Sequence, residues 1–333
     1  MTSQKYILPS DKKRKRFLKA QAKSNENYGV APQKRTVKDL LNNGIIIIDK
    51  PNGPTSHQVD AWIRNILEVE KVGHGGTLDP NATGVLPVAI GSAAKSLQFL
   101  LTAGKEYVGI MKLHKDVDEK RILDVMKSFI GDIEQLPPVR SAVKRVRRKR
   151  RIYYLDVIQI KGKEVLFRVG CESGTYVRTL CVNIGKKLGC GANLAELRRT
   201  RVGHLKEEDT VILHDLKDAY EFFKKDGDEN VIRSVVHPIE KLFDHLPKII
   251  IRDSAVDAIC HGACLAVPGV VEVDSGIKKG KNVAIFTLKG EVVAIGNSLM
   301  STEEIIQKDT GVCTNIDRVV LKKGTYPSIW KKS

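Results

Sequence analysis

The sequence is most constrained between Gly73 and Pro87, where Gly73-His74-Gly75-Gly76-Thr77-Leu78-Asp79-Pro80 is followed by Thr83-Gly84-Val85-Leu86-Pro87. Glycine lets a backbone turn sharply or approach another group closely, and proline fixes the chain beside it. Asp79 is therefore expected on a stiff loop between regular elements, where a rigid scaffold can present it. Taken alone, an aspartate before proline is a turn residue that caps the next element.

The 333 residues are enough for two domains with their own cores, and an apolar share of 42% is ordinary for a globular chain. The formal net charge of +17 is not ordinary. Such an excess points to a polyanionic partner, nucleic acid first. The six cysteines, Cys171, Cys181, Cys190, Cys260, Cys264 and Cys313, form neither a disulfide framework nor paired Cys-x-x-Cys ligands. Cys260-His261-Gly262-Ala263-Cys264 lacks a second ligand pair and reads as ordinary thiols, so no metal is expected. No apolar run approaches the roughly 20 residues that span a bilayer, and the polar N-terminus does not read as a signal peptide. A reducing, intracellular compartment is expected. A Walker A motif is absent, as is a Gly-x-Gly-x-x-Gly fingerprint after a strand.

Residues 1–37, with Lys12-Lys13-Arg14-Lys15-Arg16, read as a flexible basic arm. It would serve as a nuclear address or dock on the body or on RNA. Gly44-Ile45-Ile46-Ile47-Ile48-Asp49-Lys50-Pro51 reads as a buried strand ended by Asn52-Gly53-Pro54. Ser56 is expected to cap a helix carrying Val59, Ile63 and Leu67 on one face. Lys50 is expected to give structural support at the strand end. Further on, Val85–Ile90 suggests a strand, Ser92–Leu101 a helix and Lys105–Ile110 a strand with Tyr107 and Gly109 on one face. An aromatic in a strand is usually core.

Asp118–Phe129 has helical periodicity, and Pro137-Pro138 starts a loop into Lys144-Arg145-Val146-Arg147-Arg148-Lys149-Arg150-Arg151. Seven cations among these eight residues favour phosphate contact over a merely solvated loop. Such contacts give affinity and orientation, not sequence choice. Strands are expected at 152–160 and 164–170, a helix from Thr175, and Leu194 and Leu197 stand at helical spacing. A domain boundary is expected near residue 247. Beyond it, short β-rich runs broken by Gly and Pro predict a small barrel, with Lys289-Gly290-Glu291 as a hairpin turn.

Five of these strings occur in the order of a known family. Lys50-Pro51 with Thr55-Ser56, the Asp79 string, Lys105-Glu106-Tyr107, Gly174-Thr175-Tyr176-Val177-Arg178-Thr179-Leu180 and the closing Asn193–Thr200 segment resemble pseudouridine synthases of the TruB and dyskerin family. The likeness extends from about residue 37 to the C-terminus and is strongest to archaeal dyskerin homologues. It implies an α+β catalytic domain over 38–247, built around a mixed, largely antiparallel sheet. A PUA-type RNA-binding β-barrel over 248–333 would follow.

By the same resemblance Asp79 is the catalytic carboxylate and Arg178 pairs with it through a two-pronged contact. Tyr107 stacks on the target base, Leu194 lines the base pocket, Lys50 supports the loop and His74 helps open or hold the RNA. Lys144, Arg145, Arg147, Arg148 and Arg150, with His261, Gly262 and Ala263 of the barrel, would contact RNA; Gly262 also reads as a plain turn glycine.

The implied reaction converts uridine to its isomer pseudouridine, which needs no cofactor. The implied partners are H/ACA guide RNA, target rRNA or tRNA, a small zinc-ribbon protein, a glycine-arginine-rich barrel protein and a kink-turn-binding ribosomal-type protein. A cytoplasmic location follows for an archaeal protein and a nucleolar one for a eukaryotic protein. A stand-alone tRNA synthase and a non-catalytic guide-RNA scaffold remain as alternatives.

Overall fold

Four consecutive isoleucines can all be buried only where a strand is covered on both faces. The computed structural model, which describes residues 6–137, 144 and 146–328, places Ile45 to Ile48 in such a strand, Gly44–Lys50, with each at most 1% exposed. The chain forms two compact units. The first holds the chain up to Asp11, Ile46–Val88 and Leu97–Val231; the second holds Lys12–Ile45, Ala89–Ser96 and Ile232 onward.

In the first unit the sheet order is Gly44–Lys50, Ala82–Ile90, Ala192–Val202, Lys105–Leu113, Glu164–Cys171, Arg148–Lys161 and Gly131–Gln135. The pairings from Lys105–Leu113 outward are antiparallel, whereas Ala82–Ile90 runs parallel to Ala192–Val202. One face of this sheet packs Met111, Val165, Phe167 and Val169 against Leu180, Cys181 and Ile184 of the helix Val177–Leu188. Helix Glu119–Lys127 adds Ile122 and Met126 to the same core.

The second unit carries a seven-stranded sheet in the order Arg16–Leu18, Val270–Asp274, Lys248–Ile251, Asn282–Thr287, Val292–Ser298, Val312–Val319 and Leu265–Ala266. Its core joins Val256 and Ile259 of helix Asp253–Cys260 to Ile249, Val283, Ile285 and Val293. Gly290 at φ +83° makes the expected hairpin turn.

Several local expectations are corrected. Within the basic arm Arg16–Leu18 is a strand and not flexible coil: it pairs with Val270–Asp274, and Arg16 Nε donates to Asp274 Oδ1 at 2.9 Å. Arg35 makes a two-pronged contact with Glu240 at 2.8 and 2.7 Å. Residues 12–45 fall with Ile232 onward in the second unit. Leu194 and Leu197 stand on a strand, not a helix. The basic run is strand from Arg148 onward, paired with Gly131–Gln135. The helix expected from Thr175 starts at Val177. Among the described residues no helix is long and apolar enough to cross a membrane.

Burial sets the alkaline limit of this fold. It pushes the thiols of Cys171 and Cys181 up to about 12 and those of Cys260 and Cys313 up to about 11. Folded values above the unfolded 9.0 mean stability that is complete below pH 9 and lost as pH rises through 11 to 12. Lys105, pushed down to about 8 from 10.5 by burial, works the other way between those values. Four thiols outweigh one lysine. Denaturant titrations should show stability falling between pH 9 and 11, and Cys171→Ala with Cys181→Ala should flatten the fall. An unchanged slope in that variant would refute the assignment.

Candidate active site

Asp79 lies between the strands Val72–His74 and Ala82–Ile90, with its side chain 59% exposed and open to a reactant. The backbone around it is not free. Lys50, fully buried, donates from Nζ to the carbonyls of Pro51, Pro80 and Ala82, each at 2.9 Å. The Gly53 amide donates to the Pro80 carbonyl at 3.0 Å, and the Ala82 amide to that of Asp79 at 3.0 Å.

Ser56 holds the other flank. Its hydroxyl accepts from the Leu78 amide at 3.0 Å and donates to the Leu78 carbonyl at 3.2 Å. It is therefore not the helix cap. Thr55 caps Ser56–Ile66 in a box with Gln58, which leaves the Ser56 side chain to turn inward. Residues 78 and 80 are thus clamped on both sides of a carboxylate that is itself accessible.

Arg199 completes the support, and nothing in its local sequence singled it out. It is 1% exposed; Nε donates to the Val85 carbonyl at 2.8 Å and an Nη to the Gly76 carbonyl at 2.9 Å. Its charge also acts on the Tyr107 hydroxyl. Burial lowers the Arg199 pKa and raises that of Tyr107. One guanidinium therefore ties the glycine loop, the following strand and the tyrosine together. Gly84, at φ +99°, faces Arg199 across the parallel pair, and a Cβ there would sit 2.2 Å from the Arg199 carbonyl oxygen. Only glycine fits.

Tyr107 is 8% exposed and belongs to the core that also contains Leu78. Gly109 stands two residues on, on the same face, and its missing side chain lets Leu194 come close; a Cβ would lie 3.3 Å from Leu194 Cδ1. Leu194 packs, half-buried, against this cluster. Behind it Glu106 accepts from Tyr154 at 2.6 Å and from Thr200 at 2.7 Å. Lys105 Nζ bonds the carbonyls of Leu101 and Ala103 and the Ser173 hydroxyl.

Arg178, near the start of helix Val177–Leu188, donates from Nη2 to Asp79 Oδ2 at 2.5 Å. The contact is a single prong where two were expected, and both side chains are more than half exposed. Residues 99 positions apart in the chain thus meet at the loop.

Models of known families match almost the whole length. The TruB family pseudouridylate synthase N-terminal domain matches residues 64–177, and the tRNA pseudouridylate synthase B C-terminal domain matches 178–244. The PUA domain matches 247–320 and the DKCLD (NUC011) domain 7–60. A probable tRNA pseudouridine synthase B of Methanopyrus kandleri is 53% identical over 323 residues, covering 97% of this chain and 96% of its own. The protein of that name from Thermococcus kodakarensis is 54% identical over 328 residues, covering 98% and 97%. The chain belongs to the TruB family of pseudouridine synthases.

Solved structures agree with this family. A chain of a Cbf5-Nop10-Gar1 complex superposes with a TM-score of 0.92 at 51% identity, covering 96% of this synthase and 98% of that chain. A chain of an H/ACA RNP bound to a substrate RNA containing 2'-deoxyuridine gives 0.91 at 49% identity, covering 98% and 100%. The synthase is thus an RNA-modifying isomerase with a TruB catalytic domain and a PUA domain.

Its remaining candidate residues differ widely in exposure. Arg147 is 78% exposed and 3.8 Å from Glu134. Lys144 is exposed, Arg148 half-buried, and Arg145 lies outside the described residues. Arg150 turns back: its Nη1 donates to the Lys149 carbonyl at 2.9 Å, and a Cβ on Gly174 would stand 3.0 Å from its Nη2. In the second unit His261, Gly262 and Ala263 are exposed just after helix Asp253–Cys260. Gly262 has φ +90° and open space around it. His74 is little accessible: its side chain is 7% exposed, with Nδ1 at 2.6 Å from Asp60 Oδ2 and Nε2 at 3.1 Å from Thr77 Oγ1.

Proposed function

We propose that the synthase modifies uridines chosen by a guide RNA, as the catalytic subunit of an H/ACA-type particle, with Asp79 as the catalytic carboxylate. The observation that carries the catalytic assignment is an exposed Asp79 on a clamped loop, in contact with Arg178 and close to Tyr107. Whole-chain likeness to the Cbf5 structures supports the particle. Partners corresponding to Nop10 and Gar1 follow from those complexes; a kink-turn-binding protein joins them on this reading.

The reaction breaks the C1′–N1 bond, turns the uracil and joins its C5 to C1′. The proton on C5 is then released and one is taken up at N1, so the atoms balance without a redox partner. Asp79 either attacks C1′ or removes the C2′ proton, and each route needs an ionised carboxylate. Arg178 orients that carboxylate through a charge-assisted hydrogen bond. The target base leaves its stack, at a cost of a few kcal/mol, and enters beside Tyr107 and Leu194. His74 would help open the RNA only after parting from Asp60. Lys144, Arg147 and Arg148 supply cations for phosphates, and His261, Gly262 and Ala263 form a second contact in the PUA domain. In an archaeon this chemistry belongs in the cytoplasm.

The names of the relatives favour a second reading, a stand-alone tRNA synthase. Tritium release from [5-³H]uridine RNA separates the two. Release that requires a matching guide and the partner proteins is the expected result. Release from tRNA alone, unchanged by a guide, would establish the stand-alone enzyme. Guide RNA bound without release in any mixture would leave a scaffold.

A further inference from the structure

Helix Ser56–Ile66 presents His57 and Asp60, at i and i+3, to His74 on the strand that enters the Asp79 loop. Asp60 Oδ2 lies 2.6 Å from His74 Nδ1 and 3.9 Å from His57 Nδ1. The imidazole rings meet edge-on with centroids 4.9 Å apart, and one ligand atom from each residue falls within 4.8 Å of the others. The second carboxylate oxygen, Asp60 Oδ1, is buried and has no hydrogen-bond partner among the described residues. Two imidazoles and a carboxylate are more ligating power than holding one histidine requires.

From this geometry we propose that His57, Asp60 and His74 form a binding site for a divalent first-row transition metal ion of the zinc class, tying the helix to the loop strand. Ligand bonds of about 2.0–2.2 Å in a tetrahedron set donor atoms roughly 3.4 Å apart. The Asp60–His74 pair must open by somewhat under 1 Å, and His57 must swing inward. His57 has the freedom to do so, with its side chain 84% exposed.

The tautomer also fits. When the metal takes Nδ1 of His74, the ring proton moves to Nε2, where Thr77 Oγ1 accepts it at 3.1 Å. An acceptor there fixes the ring of a metal-bound histidine, a role more often filled by a carboxylate, a backbone carbonyl or water. Two histidines and one carboxylate leave a position for water, and borderline ions such as Zn²⁺ and Co²⁺ suit imidazole. Isomerisation of uridine does not use this ion. The site acts on the position of His74, and its occupancy is independent of the guide-RNA reading.

The test is titration of the full-length, metal-stripped protein with Zn²⁺ and with Co²⁺. One equivalent is expected to bind, to raise the melting temperature by roughly 2–4 °C at saturating metal, and to give a Co²⁺ spectrum without thiolate charge transfer. His57→Ala should weaken binding at least about 10-fold, and Asp60→Asn likewise. The exposure of His57 predicts that His57→Ala melts like the parent when both are metal-free, so lost binding will not reflect lost fold. Failure to bind a stoichiometric ion overturns the proposal. So does binding as tight in both variants as in the parent, or a Co²⁺–thiolate band that traces the metal to a cysteine such as the exposed Cys264.

Discussion

Asp79→Asn is expected to reduce tritium release by about 10³-fold or more while leaving the fold and RNA binding intact. Asparagine keeps the shape and one acceptor for Arg178, but it can neither attack C1′ nor take a proton, and loss of such a group typically costs 10²–10⁴-fold or more. Stability should hardly move. The side chain is 59% exposed and, among the described residues, pairs with an equally exposed arginine. Pairs of that kind contribute about 0–1 kcal/mol. Single-turnover release by Asp79→Asn within tenfold of the parent would remove Asp79 from the chemistry.

Lys50→Met should do the reverse, acting first on stability. Its ammonium is fully buried and bonds three carbonyls, two of them flanking Asp79 at Pro80 and Ala82. Methionine fills the space but takes the donor from three carbonyls, of which that of Pro80 keeps the Gly53 amide, and an acceptor left unsatisfied costs about 1–3 kcal/mol. Against this, burial lowers the Lys50 pKa, so removing the charge regains part of its desolvation cost. A net loss of about 3–5 kcal/mol is expected, a fall in melting temperature on the order of 10 °C. Amide exchange at Leu78–Ala82 should quicken, and release should drop although Asp79 is intact. A variant that melts within a degree or two of the parent would show that the clamp carries no weight. Arg199→Met, which frees the carbonyls of Val85 and Gly76, is expected to act in the same way.

What could be read from the sequence followed the range of the forces involved. The Gly44–Lys50 strand was legible because its β-branched run admits no other buried element. The stiffness around Asp79 was legible from glycine and proline alone. The Thr55 cap was also written there, since Thr55-x-x-Gln58 is a capping-box pattern, but the neighbouring serine obscured it. Leu194 and Leu197 misled because a bulge at Ala195 interrupts the strand's alternation and brings both onto the face of Gly109 and Met111, so a spacing of three no longer marks a helix.

Arg199 and Asp60 were not legible. An arginine beside Arg198 looks like surface charge until the loop that it bonds is folded over it, and Asp60 gains its meaning only from His74, fourteen residues on. The N-terminal strand Arg16–Leu18 was hidden for the same reason in the extreme, with Arg16 and Asp274 separated by 258 residues.

That last pairing has a bearing on how the protein is born. In translation Arg16, in the strand Arg16–Leu18, precedes Asp274 of its neighbour Val270–Asp274 by 258 residues. At about 5–20 residues per second, the early strand waits more than ten seconds for the edge on which it belongs. Throughout that interval it offers Phe17, Leu18 and unpaired amides to any strand nearby. The basic residues on either side, Lys12 to Arg16 and Lys19, surround this exposed segment with like charge. In the nascent chain they would act as gatekeepers against misassociation, before any RNA is present to meet them.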